Sequence, residues 1–335
     1  RMMSNHLLID VDSKIPNLAL MKVSAWAKAK GDSVDLRYPT VDPDEVWISC
    51  VFTWNKAQAL GVGSYYEKCA KVHYGGTGFD WGLGDGMDFS QRINLPAEIE
   101  FTNPDYSLYK DEDRAVGFCL RGCNRTCGFC DVWRKEGKIN PAFYNPIERW
   151  VPEKFSKVLL LDNDISLQGD EFHNRTIEDC AKSGRKLSIT QGYDIRCVTE
   201  DRAKLLAEHK PYDLKFKRKC LYFAWDKLSS EKAVRRNVPL LLNSGFNERE
   251  LFCYMIVGFD TTFEQDYHRY KVLWEEYGVY PFVMIFNNRR DNPQLRAFAR
   301  WVNRRIHKTA TWEEYRRNPD YEEDDYDVSE QMILA

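Results

Sequence analysis

The chain has 335 residues, of which 43% are hydrophobic, 30% charged and 14% aromatic, and a formal net charge of −3. That length supports one large or two ordinary domains with full cores, and the near-neutral charge excludes a global basic field directed at nucleic acid. No run of about 18 apolar residues occurs, so no spanning helix is expected. The start, "RMMSNHLLIDVD", carries no charged-then-apolar leader. The expected location is therefore the cytoplasm, where clustered cysteines point to metal binding or catalysis rather than to disulfides.

In chain order, "HLLID" reads as a strand, and "NLALMKVSAWAKAKG" as a helix with Leu18, Met21 and Ala25 at helical spacing and Gly31 as its cap. "SVDLRY" and "EVWISCVFT" follow as strands, then a helical "KAQALGVGSYYEK" and the strand "KVHYGG". Strand–helix repetition of this kind favours a parallel sheet covered by helices, so residues 1–80 are expected to form a small doubly wound domain. Glycines and prolines then cluster from "GGTGFDWGLGDG" through "LPAEIEFTNPDYSLY", and residues 81–112 are read as a linker.

Alternation resumes over residues 113–290. The expected strands are "AVGFC", "KVLLL", "LSIT", "CLYFAW", "FCYMIVG" and "PFVMIF", with helices such as "EDRAKLLAEHK" and "SSEKAVRRNVPLLLNSG" between them. Six such repeats suggest a barrel-like parallel sheet with its chemistry at the C-terminal strand ends. Residues 291–318 read as a helical extension. There Asn292 caps "NPQLRAFARWVNRRIHK", and Leu295, Phe298, Val302 and Ile306 form an apolar stripe. Arg296, Arg300 and Arg304, with Trp301 and Trp312 nearby, could grip a phosphate or RNA; an amphipathic helix closing the barrel is the favoured reading. Residues 319–335, with "PDYEEDDYDVSE", form an acidic tail.

The most informative stretch is "GFCLRGCNRTCGFC", in which Cys119, Cys123, Cys127 and Cys130 are four of the chain's ten cysteines. A zinc site would use all four, but Cys119 and Cys123 at x3 spacing fit a zinc knuckle loosely. The last three alone give C-x3-C-x2-C, a set that can hold three irons of a 4Fe–4S cluster and leave the fourth open. The other cysteines form no second close-spaced motif, and Cys119 is read as packing rather than as a ligand.

"CNRTCGFC", with Phe129 before its last cysteine, resembles the C-x3-C-x-aromatic-C signature of the radical S-adenosylmethionine (SAM) enzymes. The resemblance implies a partial (β/α)6 TIM-like barrel and a 4Fe–4S cluster on Cys123, Cys127 and Cys130. It also implies SAM on the open iron, reductive cleavage to a 5′-deoxyadenosyl radical, and an electron donor such as flavodoxin or ferredoxin. Carried onto this sequence, it makes "LLLDNDIS" the segment that meets the SAM amino group, with Asp162, Asn163 and Asp164 in place of the common Gly-Gly-Glu. "QGYDIRCV" would reach the ribose and carboxylate through Gln191, Asp194 and Arg196, and Val257-Gly258 would pass the adenine. The substrate, small molecule or macromolecule, and the reaction subclass (methylation, sulfur insertion or rearrangement) are not specified.

"IPNLALMKVSAWAKAKGDSVDL" and "YGGTGF" resemble parts of the Rossmann-like cobalamin-binding domain found ahead of some radical SAM barrels. The D-x-H-x-x-G element that supplies the lower cobalt ligand is missing, so a degenerate module is favoured over bound cobalamin. The methylthiotransferase branch is disfavoured, because the first domain has only Cys50 and Cys69. The rival reading is a zinc-stabilised four-cysteine binding protein contacting nucleic acid.

Overall fold

A computed structural model describes residues 2–80, 95–286 and 291–317. The chain is a mixed α/β protein that divides into two units, residues 1–116 with 149–152, and residues 117–148 with 153–335. Among the described residues no helix is long and apolar enough to cross a membrane. The expected acidic tail 319–335 and the centre of the glycine-rich stretch lie outside the described residues.

The first unit is built on four strands: β1 (Asn5–Asp10), β2 (Ser33–Leu36), β3 (Glu45–Ser49) and β4 (Lys71–Gly75). They pair in the order β2-β1-β3-β4, every pair parallel. Because side chains alternate along a strand, Leu7, Val46 and Ile48 form one apolar cluster with Ala59 of the helix Lys56–Tyr66, while Leu8 and Trp47 form another with Leu20 and Val23 of the helix Leu18–Ala29. Helices thus cover both faces, as expected of a doubly wound unit. Asn17 caps the first helix by accepting from Leu20 N at 3.1 Å.

Part of the range read as a linker belongs to this core. Ile99 is fully buried in the cluster of Leu8 and Trp47, with Leu95 and Leu108 packed beside it. Asp105 accepts from Ser24 Oγ at 2.7 Å and pairs with Lys28 at 2.6 Å. Proline and glycine punctuation marked the chain's turns here, while isolated apolar residues fixed its place.

β5 (Ala115–Gly117) ends where the second unit begins. It heads a sheet of order β5-β6-β7 with β6 (Lys157–Leu160) and β7 (Lys186–Ile189), β6 and β7 being parallel. β8 (Tyr193–Asp194), β9 (Leu221–Ala224), β10 (Leu251–Val257) and β11 (Tyr280–Ile285) form a second sheet of order β11-β10-β9-β8, parallel throughout. The strand expected at "LSIT" is therefore followed after three residues by a two-residue strand in the other sheet. Gly192, with φ of +91°, lies in that break, where an added Cβ would stand 3.2 Å from the Tyr254 ring. Tyr254 uses that space to donate its hydroxyl to Thr190 O at 2.9 Å.

The helices Asp170–Lys182, Glu200–Glu208, Glu231–Asn243 and Phe263–Lys271 connect successive strands, and the helix Pro293–Asn303 packs on β11. Asn303 pairs with that edge strand by its amide, accepting from Val283 N at 2.8 Å and donating to Val283 O at 2.9 Å. The C-terminal tryptophans are not a phosphate grip. Trp301 and Trp312 are buried in a cluster of rings with Phe263, Tyr267, Tyr270 and Phe298, and Arg300 is buried with them. Burying so much aromatic area against the core outweighs exposing it for a ligand.

Candidate functional site

The cysteine loop leaves the end of β5 and is held down by the segment after β6. The Asp162 carboxylate accepts from Cys119 N at 2.7 Å, Leu120 N at 3.1 Å and Gln168 Nε2 at 2.6 Å. Asn163 Oδ1 accepts from Gly122 N at 2.9 Å. Gly122 has φ of +104°, and a Cβ there would meet backbone atoms of Gly137 and Lys138 at 2.9 and 2.8 Å, so only glycine fits. Cys123 N donates to Gly137 O at 3.0 Å, and Arg121 closes the base of the loop with a two-pronged pairing to Glu136. On the loop's far arm, Phe129 meets Phe259 edge to face at 5.6 Å, and a Cβ on Gly128 would touch that same ring.

Cys123, Cys127 and Cys130 are half-buried free thiols. Burial pushes the Cys123 thiol up to about 11, and Asp164, Cys130 and Cys127 push the same way against a backbone N–H from Arg125. Burial likewise raises Cys127, where Lys227 and Arg196 oppose it and Asp226 adds to it. Cys130 is raised by burial, with Cys127, Asp131 and Asp226 contributing against a backbone N–H from Val132. Burial thus raises all three thiols, and a metal centre there would displace their protons.

Asp194, at the end of β8, links the loop to the next strand. One carboxylate oxygen accepts from Arg125 Nε and Nη2 at 3.1 and 2.8 Å, while Arg196 binds both oxygens at 2.7 Å. Burial would raise Asp194, but the Arg196 and Arg125 pairings bring it below the usual carboxylate range. Asp164 caps the short helical turn Ile165–Leu167 by accepting from Ser166 N at 2.9 Å, and burial lifts it to about 6.

The expected site residues thus divide. Asp164, Asp194 and Arg196 stand with the cysteines. Asp162 and Asn163 turn to the backbone of the cysteine loop, so they position it; Asp162 is fully buried with its carboxylate engaged by three donors. Arg196, read as a partner for a ligand carboxylate, already has one in Asp194. Gln191 is half-buried after β7. Val257 is fully buried, and Gly258, with φ of +74°, donates its N–H to Asp266 at 3.2 Å.

Three further groups were not singled out in the sequence. Arg125 lies between the first two cysteines of the motif. Asp226 and Lys227 follow β9, where strand-end position alone could have flagged them. Asp226 accepts from Ile256 N at 3.0 Å, and burial lifts it to about 6. Behind them, Arg269 is fully buried, donates to Trp225 O and Ile256 O at 2.6 Å each, and pairs with Asp266 at 2.5 Å. This pair fixes the ends of β9 and β10 relative to each other.

Among the described residues, no three His, Cys, Asp or Glu side chains converge as ligands of a single metal ion. A closed zinc centre needs four donors converged on one ion, and Cys119 is buried. Thiolates of a 4Fe–4S cluster bind separate irons, so they need not meet at one point. The three half-buried thiols lie on one braced loop, and Lys227, Arg196 and Arg125 carry positive charge toward Cys127. No protein-family model matches the chain, and no curated protein matches it.

Proposed function

We propose that the chain is a radical SAM enzyme, with Cys123, Cys127 and Cys130 as ligands of a 4Fe–4S cluster. The observation that carries this reading is the placement of the C-x3-C-x-Phe-C loop. It follows β5 and is braced by Asp162 and Asn163 after β6; Asp164 acts on Cys123, Asp226 after β9 on Cys127 and Cys130, and Arg196 and Lys227 on Cys127. On this reading β5, β6, β7 with β8, β9, β10 and β11 are the six strands of a partial (β/α)6 barrel. The consecutive strand order within each sheet, and the parallel pairing of β6 with β7 and of β8 through β11, support it.

When bound, the cluster and SAM supply one-electron cleavage of the sulfonium and a 5′-deoxyadenosyl radical. The chain's own residues have three tasks. Arg196 and Lys227 offset the charge of thiolate Cys127. Phe129 and Phe259 pack edge to face against one side of the loop. Asp164 and Asp226 are the carboxylates available to a bound cosubstrate, whereas Asp162 is committed to the backbone.

Anaerobic purification tests the reading. A brown protein with about four irons in its cluster that releases 5′-deoxyadenosine only with reductant supports it, while a colourless protein with one zinc overturns it. For the first unit, a degenerate cobalamin-type module is the matching proposal. Incubation with cobalamin followed by desalting is expected to leave no visible corrin absorption, and retained colour would reverse that expectation.

A further inference from the structure

The opposite end of the same strands has a different chemistry. β6 and β7 begin with Lys157 and Lys186, which stand side by side in register. Lys186 lies 4.9 Å from the Tyr212 ring and Lys157 6.0 Å from Phe216. Tyr212 bridges both to Ser188 of β7 and to Lys219 ahead of β9, so the strand starts of the two sheets are adjoining. Arg218 sits over Phe252 at 5.8 Å, and Arg305 and Lys308 sit over Tyr280 at 4.9 and 4.5 Å. Cations thus lie against four rings at this end, Tyr212, Phe216, Phe252 and Tyr280.

Between the rings is a cavity of about 220 Å³ lined by Tyr222, Phe252, Tyr254 and Tyr280, with Arg305 and His307 at one side. Tyr222 and Tyr254 stack at 5.3 Å, and Phe252 and Tyr280 at 5.1 Å. Lys308 donates to the Tyr280 hydroxyl at 2.9 Å and, with Arg305 and Arg249, holds that phenol below its ordinary range against burial. Arg305 is in the left-handed region at φ of +61°, the position after a helix where glycine is usual.

Among the acids at this end, Asp213 is engaged by Arg218 and Glu250 by Lys210, and Glu248 is exposed beside Arg249. Lys215, Lys217 and Lys219 are exposed in the turn that carries Arg218. This excess of positive charge belongs to one surface of a chain whose net charge is −3. Cations beside helix C-termini are ordinary, but that effect does not place them on aromatic rings.

We propose that this end of the second unit binds single-stranded nucleic acid, one base entering the aromatic cavity and the neighbouring phosphates meeting Arg249, Arg305 and Lys308. A guanidinium lying on a ring keeps its N–H edge for phosphate, and aromatic platforms hold bases of any sequence. The cations extend past the cavity, further than one phosphate requires, which favours a strand over a free nucleotide. A recessed aromatic cavity suits a planar base, whereas a lipid surface takes projecting apolar residues. The inference is independent of the radical SAM reading.

The probe is a fluorescein-labelled 20-nucleotide single strand of mixed sequence, as RNA and as DNA, read by anisotropy on the full chain. Affinity is expected to fall with salt at a log–log slope of about −2, from roughly three phosphates at 0.7 each. The double variant Arg305→Glu/Lys308→Glu, on exposed side chains, is expected to weaken binding at least about tenfold and to shrink the slope by about 1–2. Tyr280→Ala is expected to weaken binding by about 5- to 100-fold with the slope less changed. Lys182→Glu, a charge change on an exposed residue elsewhere in the unit, should leave binding intact. Absence of binding at low salt, equal loss in Lys182→Glu, or capture by phosphatidylserine vesicles that the oligonucleotide does not compete away would each overturn the proposal.

Discussion

Arg125, inside the cysteine motif, and Asp194, at the end of β8, are joined by two hydrogen bonds to one carboxylate oxygen, at 3.1 and 2.8 Å. The motif's variable spacer is thereby fixed to a strand it does not follow in sequence. Asp194→Asn removes the negative charge that both Arg125 and Arg196 face. Both arginines are more than a third exposed, so water recovers part of the loss and the expected cost is about 1–2 kcal/mol. Urea unfolding measures it. Iron retained after anaerobic reconstitution should fall in parallel, and unchanged iron with unchanged stability would show that this contact does not position the loop.

Cys119 and Cys123 are four residues apart but differ in role. Cys119 is buried at the strand end, while Cys123 is half-buried beside Cys127 and Cys130. Cys119→Ala is expected to leave cluster iron intact, with a modest stability loss of about 1–2 kcal/mol for a small buried side chain. Cys123→Ala is expected to lose most of the iron. Equal losses from the two would mean that the ligand set includes Cys119.

Asp162 makes stability depend on pH. Burial outweighs its three donors and raises it from 3.8 to about 7. Below about pH 4 the folded and unfolded carboxyls are both protonated. Between about 4 and 7 only the folded one holds its proton, so this residue's contribution is greatest in acid and is lost as pH rises to about 7. Unfolding free energies of the apo protein and of Asp162→Asn, compared at several pH values, should therefore differ in slope. The wild type's standing relative to the variant should decline by a few kcal/mol across this window. A flat or rising difference would contradict the assignment.

The buried Asp266–Arg269 pair should behave as a coupled unit. Both side chains are fully buried, so Asp266→Ala strands a guanidinium without its counter-charge and is expected to cost about 3–5 kcal/mol. Pairing Asp266→Leu with Arg269→Met removes both charges. Its cost should fall short of the sum of the single changes by about 1–3 kcal/mol in a double-mutant cycle. Strict additivity would show that Arg269 acts only through its bonds to Trp225 and Ile256.

The strands were legible where apolar runs are nearly continuous, as in "EVWIS" and "FCYMIV", because a strand covered on both faces needs that pattern. β8 was not, since two residues beyond a glycine break give no periodicity. Ile99 and its neighbours were misread because proline punctuation hides residues that pack singly. At the site, the cysteine spacing is local chemistry and could be read directly. The roles of Asp162, Asp194 and Asp226 depend on partners up to 69 residues away, and no local pattern reports such a pairing. The grip considered for Trp301 beside the favoured barrel-closing helix could not be settled locally for the same reason: its ring cluster is assembled from three separate segments.

The amide of Asn303 has a consequence for the molecule among its own copies. Among the described residues β11 is the last strand of its sheet, and a bare final strand is a template on which another chain can extend the ladder. With Val283 N–H and C=O both occupied by one side chain, an incoming strand finds its central rungs already taken. The Asn303 amide thus takes the rung at Val283, and the helix it ends packs on the same strand, so this edge offers no free ladder there to a second chain.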